Sequence, residues 1–211
     1  LDPELTVGLP PHITSTTGMD ALCHAVEAYT NATYNSKLEK KMSKMAVKLI
    51  YDNLYEVYQD GSNLEARENM QLASFKAGVA FTRAYVGYVH AVAHTLGGAY
   101  NVPHGLANAV LLPFVLESYG KTAEKKLAKL AYHIHFVSEI TPQEEAAKAF
   151  IEMIKDMKKK LNIGDTISGI KEEDIPALSK YADKEANPLY PVPKLMNAKE
   201  LRQFYYKVME K

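Results

Sequence analysis

The chain has 211 residues, and its 25 Lys and Arg balance its 25 Asp and Glu, so the formal net charge at pH 7 is zero. This balance argues against a strongly basic nucleic-acid binder and against a polybasic membrane-surface protein, because both need a large positive excess. The single cysteine excludes an internal disulfide framework and a zinc site made of thiolates.

The opening segment predicts a linker followed by helices. It reads LDPELTVGLPPHITS, with three prolines in the first eleven residues and no basic or apolar leader. We expect residues 1–16 to lead into a single helical domain over residues 1–211, and the chain to be a piece of a longer protein. No apolar run reaches the ~20 residues that span a bilayer, and we expect a cytoplasmic protein with no membrane partner.

Apolar residues recur at helical intervals in almost all of the remaining chain. Gly97-Gly98 is a predicted helix stop, Pro113 is expected to kink or break its helix, and Thr141 is a predicted N-cap. The predicted helices are one starting at residues 17–20 and others over residues 37–58, 64–84, 86–100, 105–118, 121–133, 141–161, 170–181 and 198–207.

The fold class predicted from this pattern is all-α, a bundle of about seven to nine helices joined mostly by short loops. The sequence shows no strong strand alternation, no internal repeat, no P-loop and no G-x-G-x-x-G after a strand. A nucleotide-binding motif is therefore not evident in this chain.

Five polar residues are candidates for a metal site. Asp20 and His24 are four apart on one predicted helix, and His90 and His94 are four apart on another, so each pair shares a helix face. His104 follows in a Gly-rich neighbourhood. A carboxylate with several imidazoles suits Fe(II), Zn(II), Mn(II) or Co(II). Spacing alone leaves open both a metal centre and packed histidines.

Two segments carry a resemblance to a known family. TGMDALCHAVEAY (17–29) and GYVHAVAHTLGGAYNVPHGLANA (87–109) resemble the two signature regions of the iron-containing alcohol dehydrogenases. The opening DPELT and the late PLYPVP segment (188–193) are also similar to that family, so the resemblance spans nearly the whole chain.

The resemblance implies a role for each matching residue. Asp20, His24, His90 and His104 match the four metal ligands, with Fe(II) expected and Zn(II) as the alternative. His94 matches a histidine near the nicotinamide and the substrate that relays a proton. Phe81 matches a residue that lines the substrate and nicotinamide pocket.

The resemblance also implies that this is the helical second domain of a two-domain enzyme. The Rossmann-like first domain, with its Gly-rich phosphate-binding turn, is absent from the sequence, so the fragment alone is expected to be inactive. The complete enzyme would interconvert primary alcohols or diols and aldehydes with NAD(P), and we expect it to be a homo-oligomer, commonly a dimer.

Three other interpretations stay open at this point. One is a metal-dependent hydrolase or lyase on a helical scaffold, and another is a two-domain relative such as a glycerol dehydrogenase or a sugar-phosphate cyclising enzyme. The third is a non-catalytic helical interaction domain whose histidines are merely packed. Glu27, three residues after His24, is either an acceptor for an imidazole N–H or an ordinary structural residue.

Overall fold

A computed structural model describes residues 1–210, in which nine α-helices form and no β-sheet does. This confirms the all-α prediction. The helices are α1 (Pro11–Thr30), α2 (Lys37–Gln59), α3 (Leu64–Ala84), α4 (Tyr88–Tyr100), α5 (His104–Tyr119), α6 (Lys121–His133), α7 (Gln143–Lys160), α8 (Ile175–Ala186) and α9 (Ala198–Val208). None of the helices in this part of the chain is both long enough and apolar enough to cross a membrane.

The core is organised around α1 and α5. Helix α1 packs against α2, α3 and α5, and α4 packs against α5 and α8. Helices α1 and α5 have neighbours on several sides. They therefore carry apolar residues around most of their circumference and lack a solvent face. Helices α1 and α4 both pack against α5, and side chains from these three helices meet at the candidate site.

Helix α1 begins at Pro11, six residues before the predicted start. Residues 11–16, expected in the linker, are thus helical. Proline suits the first helical position because its φ angle is already helical and its missing N–H would have no partner there.

Helix α4 runs through the predicted stop at Gly97-Gly98 and ends at Tyr100. The residue that ends it is Asn101, which adopts the left-handed conformation with φ of 55°. A glycine inside a helix costs only about 1 kcal/mol relative to alanine, so packing can carry a helix through it. Asparagine tolerates the left-handed region better than most residues do.

Proline does not break α5, which continues from His104 to Tyr119 with Pro113 inside it. A proline in a helix interior costs about 3 kcal/mol. Its neighbours Leu111, Leu112 and Val115 are completely buried, and their burial offsets that cost.

Two other predicted helix starts were wrong. Helix α7 begins at Gln143 with Pro142 at the N-cap, and Thr141 forms no capping hydrogen bond. Helix α8 covers 175–186, not 170–181, because helices accept proline readily only in their first turn and Pro176 is placed there.

Candidate metal centre

Four of the predicted residues converge where α1, α4 and α5 meet. Each of Asp20, His24, His90 and His104 offers one ligand atom, and these four atoms all lie within 4.8 Å of one another. Asp20 and His24 on α1 are thus brought together with His90 on α4 and His104 on α5, which lie at least 66 residues further along the chain.

The distances suit a single divalent ion. His24 Nε2 lies 3.3 Å from His90 Nε2, and Asp20 carboxylate oxygens lie 3.4 Å from His104 Nε2 and 3.7 Å from the Nε2 atoms of His24 and His90. Four N or O ligands at ~2.1 Å from one ion in tetrahedral geometry are separated by about 3.4 Å. The donor set, three imidazoles and one carboxylate, therefore fits Fe(II) or Zn(II) in both chemistry and spacing.

Glu27 orients His90 within this cluster. Its carboxylate, 1% exposed, accepts hydrogen bonds from the backbone N–H of Gly87 at 2.9 Å and of Val89 at 2.8 Å. It also lies 2.6 Å from His90 Nδ1, which donates to it. This contact places the hydrogen on Nδ1 and leaves the Nε2 lone pair facing the cluster, which is the arrangement that a metal ligand requires.

Asn108 was not predicted to belong to the site. Its side-chain nitrogen donates to Asp20 Oδ1 at 2.5 Å and lies 3.0 Å from His104 Nε2. The i, i+4 spacing from His104 and its position as the polar exception in an apolar helix were the signals that could have identified it.

Two imidazoles of the cluster, those of His24 and His104, are neutral at pH 7. Burial, followed by the nearby His90, lowers the pKa of His24 from 6.5 to about 4. Burial also lowers the pKa of His104 below its ordinary value. Neutral imidazole is the form that binds a metal, so little proton competition opposes binding at that pH.

Phe81 and His94 each stack on a different histidine of the cluster. The Phe81 ring stacks on His24, with centroids 4.1 Å apart and an interplanar angle of 19°. The His94 ring stacks on His104 at 5.3 Å, and its Nδ1 lies 2.7 Å from Glu185 Oε1. Both residues are thus adjacent to the cluster, and neither contributes an atom to it.

The remaining histidines, His12, His133 and His135, lie outside the cluster, as expected. Glu185 and Tyr190, by contrast, are functional candidates that sequence reasoning missed. They are more than ninety residues from His94, and no motif or spacing in the sequence connects them to it.

Comparisons with known proteins identify one family. The model of the Fe-containing alcohol dehydrogenase family, C-terminal region, matches residues 14–209. The 1,3-propanediol dehydrogenase of Citrobacter freundii is 40% identical over 206 residues, which cover 97% of this chain and 53% of that protein. Alcohol dehydrogenase 4 of Saccharomyces cerevisiae is 39% identical over 187 residues, which cover 88% of this chain and 48% of that protein.

Solved structures agree with these sequence matches. A crystal structure of a 1,3-propanediol oxidoreductase superposes with a TM-score of 0.91 at 37% identity, covering 97% of this chain and 54% of that one. An alcohol dehydrogenase from Oenococcus oeni gives a TM-score of 0.90 at 31% identity, covering 98% and 54%. The chain spans about half the length of the curated relatives that it matches.

Proposed function

The chain belongs to the Fe-containing alcohol dehydrogenase family, and we propose that it is the metal-binding part of an enzyme that interconverts primary alcohols or diols and aldehydes with NAD(P). The observation that carries the proposal is the convergence of one carboxylate and three imidazoles from three helices. The names of the relatives support the reaction class. Use of NAD(P) and assembly into a homo-oligomer remain predictions from the resemblance.

Each residue of the cluster has a defined task in this proposal. Asp20, His24, His90 and His104 would hold Fe(II), or Zn(II) as the alternative. Such an ion supplies Lewis-acid polarisation of the substrate oxygen when bound. Glu27 keeps the Nε2 lone pair of His90 directed at the cluster through its 2.6 Å contact with Nδ1.

His94 and Phe81 act on the substrate side. His94, with its side chain 43% exposed, is accessible and would accept the hydroxyl proton of the alcohol at its free nitrogen. Phe81 stacks on His24 and would present an apolar wall to the substrate and the nicotinamide, which supplies the hydride chemistry.

Metal analysis of matched histidine variants tests this assignment. The chain is loaded with Zn(II), or anaerobically with Fe(II), dialysed, and measured by plasma mass spectrometry. We expect about one ion per wild-type chain, loss of that ion in His104→Ala, and retention in His94→Ala, because His94 contributes no atom to the cluster.

Folding of each variant is checked by circular dichroism, so that loss of metal is not mistaken for loss of structure. A wild-type chain that binds no metal would overturn the metal centre. Loss of metal from His94→Ala together with retention in His104→Ala would reverse the roles assigned to the two histidines.

A further inference from the structure

His94 is held by a residue from a helix that is distant in sequence but packed against α4. Glu185, in the last turn of α8, places Oε1 2.7 Å from His94 Nδ1 on α4. The Tyr190 hydroxyl, five residues further along the chain, donates to the same carboxylate oxygen at 2.8 Å. The three side chains form a continuous row, Tyr190–Glu185–His94, that ends beside the cluster.

An ionised carboxylate can only accept hydrogen bonds, so this contact determines where the hydrogen of a neutral His94 lies. Nδ1 must carry it, and Nε2 is left with a lone pair. A free neutral imidazole can carry its hydrogen on either nitrogen. Without Glu185, either ring nitrogen of His94 could carry the hydrogen, so the nitrogen that accepts a proton would not be fixed, and the ring would be free to rotate.

We propose that Glu185 is a positioning residue that holds His94 in the Nδ1–H tautomer and in one orientation, so that Nε2 is the atom that accepts the substrate proton. The inference rests on the proposed function for its catalytic consequence. In the step concerned, the O–H bond of the alcohol would break and an N–H bond would form at Nε2, and an oxidised nicotinamide dinucleotide, when bound, would supply the acceptor for the hydride of the carbinol carbon. The Glu185 carboxylate then compensates the charge of the imidazolium.

Tyr190 has a supporting part in this arrangement. Its hydroxyl donates to the same Glu185 oxygen that His94 contacts, and this second hydrogen bond limits rotation of the carboxylate. The Tyr190 ring is in turn near Tyr85, with centroids 6.5 Å apart, which connects it to the loop after α3.

The proposal is tested by the tautomer of His94 in the metal-free chain. Nitrogen-15 NMR distinguishes a ring nitrogen that carries hydrogen from one that does not, and the spectra are recorded at a pH where His94 is neutral. We expect Nδ1–H in the wild type. We expect a shift toward Nε2–H in Glu185→Leu, and Nδ1–H retained in Glu185→Gln, whose amide oxygen still accepts.

The matched control is Glu173→Leu at an exposed position, because the carboxylate partner of His94 is Glu185. It should keep the wild-type tautomer, which separates the effect from a general loss of charge or fold. An Nε2–H tautomer in the wild type, or an unchanged tautomer in Glu185→Leu, would overturn the proposal.

A kinetic measurement on the complete enzyme tests the catalytic consequence. A positioned general base contributes about 10²-fold or more to the rate. Glu185→Leu should therefore lower kcat by as much as about 10²-fold, with little change in the KM for the dinucleotide. An unchanged kcat would overturn the catalytic part. If the wild-type enzyme oxidised no alcohol, the proposed function would fail, while the NMR result would still decide the role of Glu185 in orienting His94.

Discussion

Glu27 shows how one buried carboxylate can serve structure and site together. Helix α4 has no side-chain cap of its own, since its N-cap is Gly87. The Glu27 carboxylate accepts from the backbone N–H groups of Gly87 and Val89, and so caps α4 from α1. A negative charge at a helix N-terminus also interacts favourably with the helix dipole. The same residue therefore caps the start of α4 and orients the ring of His90, which lies in the first turn of that helix.

Glu27→Gln is expected to destabilise the fold by about 1–3 kcal/mol. The carboxylate oxygens accept from three buried N–H groups, and the glutamine NH₂, which is itself a donor, would leave at least one of them without an acceptor. Urea unfolding of the metal-free chain measures the change. The control is Glu144→Gln, which removes an exposed ion pair with Lys148 and should leave the midpoint where it is. Equal unfolding midpoints for the two variants would contradict the capping role of Glu27.

His133 lies in a basic groove between α2 and α6, apart from the metal cluster. Partial burial, with the positive charges of Lys44, His135 and Lys48, lowers its pKa below the ordinary 6.5. His133 therefore binds its proton at a higher pH in the unfolded chain than in the folded chain, as the pH falls from 6.5 through the folded-state pKa. Protonation of His133 therefore lowers the stability of the fold over that interval.

We expect NMR titration of the His133 ring to give a midpoint below 6.5. Lys44→Gln should move the midpoint upward, because it removes one of the charges that oppose protonation. Lys199→Gln, which replaces an exposed lysine on α9, is the control and should not move it. A midpoint at or above 6.5 in the wild-type chain would refute the expected shift.

At the scale of elements, the approach of α5 to α1 depends on Gly105. A Cβ atom on Gly105 would lie 2.5 Å from the Thr16 carbonyl oxygen and 2.8 Å from its carbon. These are backbone atoms inside α1, so they cannot move aside without the helix. Because His104 immediately precedes Gly105, the contact that brings the two helices together also brings His104 Nε2 to 3.4 Å from Asp20.

Gly105→Ala is therefore expected to destabilise the chain by about 1–3 kcal/mol, as overpacking does. The matched substitution Gly78→Ala is in the interior of α3, where a Cβ meets nothing within 4 Å. It should instead stabilise the helix by about 0.5–1 kcal/mol. Thermal unfolding of both variants measures the contrast, and a neutral or stabilising Gly105→Ala would show that the close approach is not required.

At the scale of the whole molecule, the described residues form helices and no sheet, so they contain no strand-turn-helix unit for a dinucleotide pyrophosphate. The four candidate metal ligands nevertheless all come from α1, α4 and α5 of this chain. Metal binding and dinucleotide binding are thus expected to be separable properties in this protein.

The 211-residue chain is accordingly expected to bind Zn(II) but to show no measurable affinity for NAD and no alcohol oxidation by itself. Calorimetric titration with NAD checks this, with Zn(II) titration of the same sample as the positive control. Micromolar binding of NAD to the chain would contradict the separation.

The sequence by itself determined the fold class and the residue types of the site. Helical periodicity of apolar residues predicted most helices to within a few residues, because burial of one face depends on spacing that is local in the chain. The i, i+4 pairs placed Asp20 with His24 and His90 with His94 for the same reason. The family signatures then predicted His104, and not His94, as the fourth ligand, an assignment that stays a prediction.

Only the tertiary structure decided which distant groups meet. Proline in α5 and the two glycines in α4 are local breaking signals, and packing against neighbouring helices outweighs them. The contacts of Glu27 with His90 and of Glu185 with His94 join residues 63 and 91 positions apart. Such contacts depend on how helices cross, and no periodicity along one chain segment records that geometry.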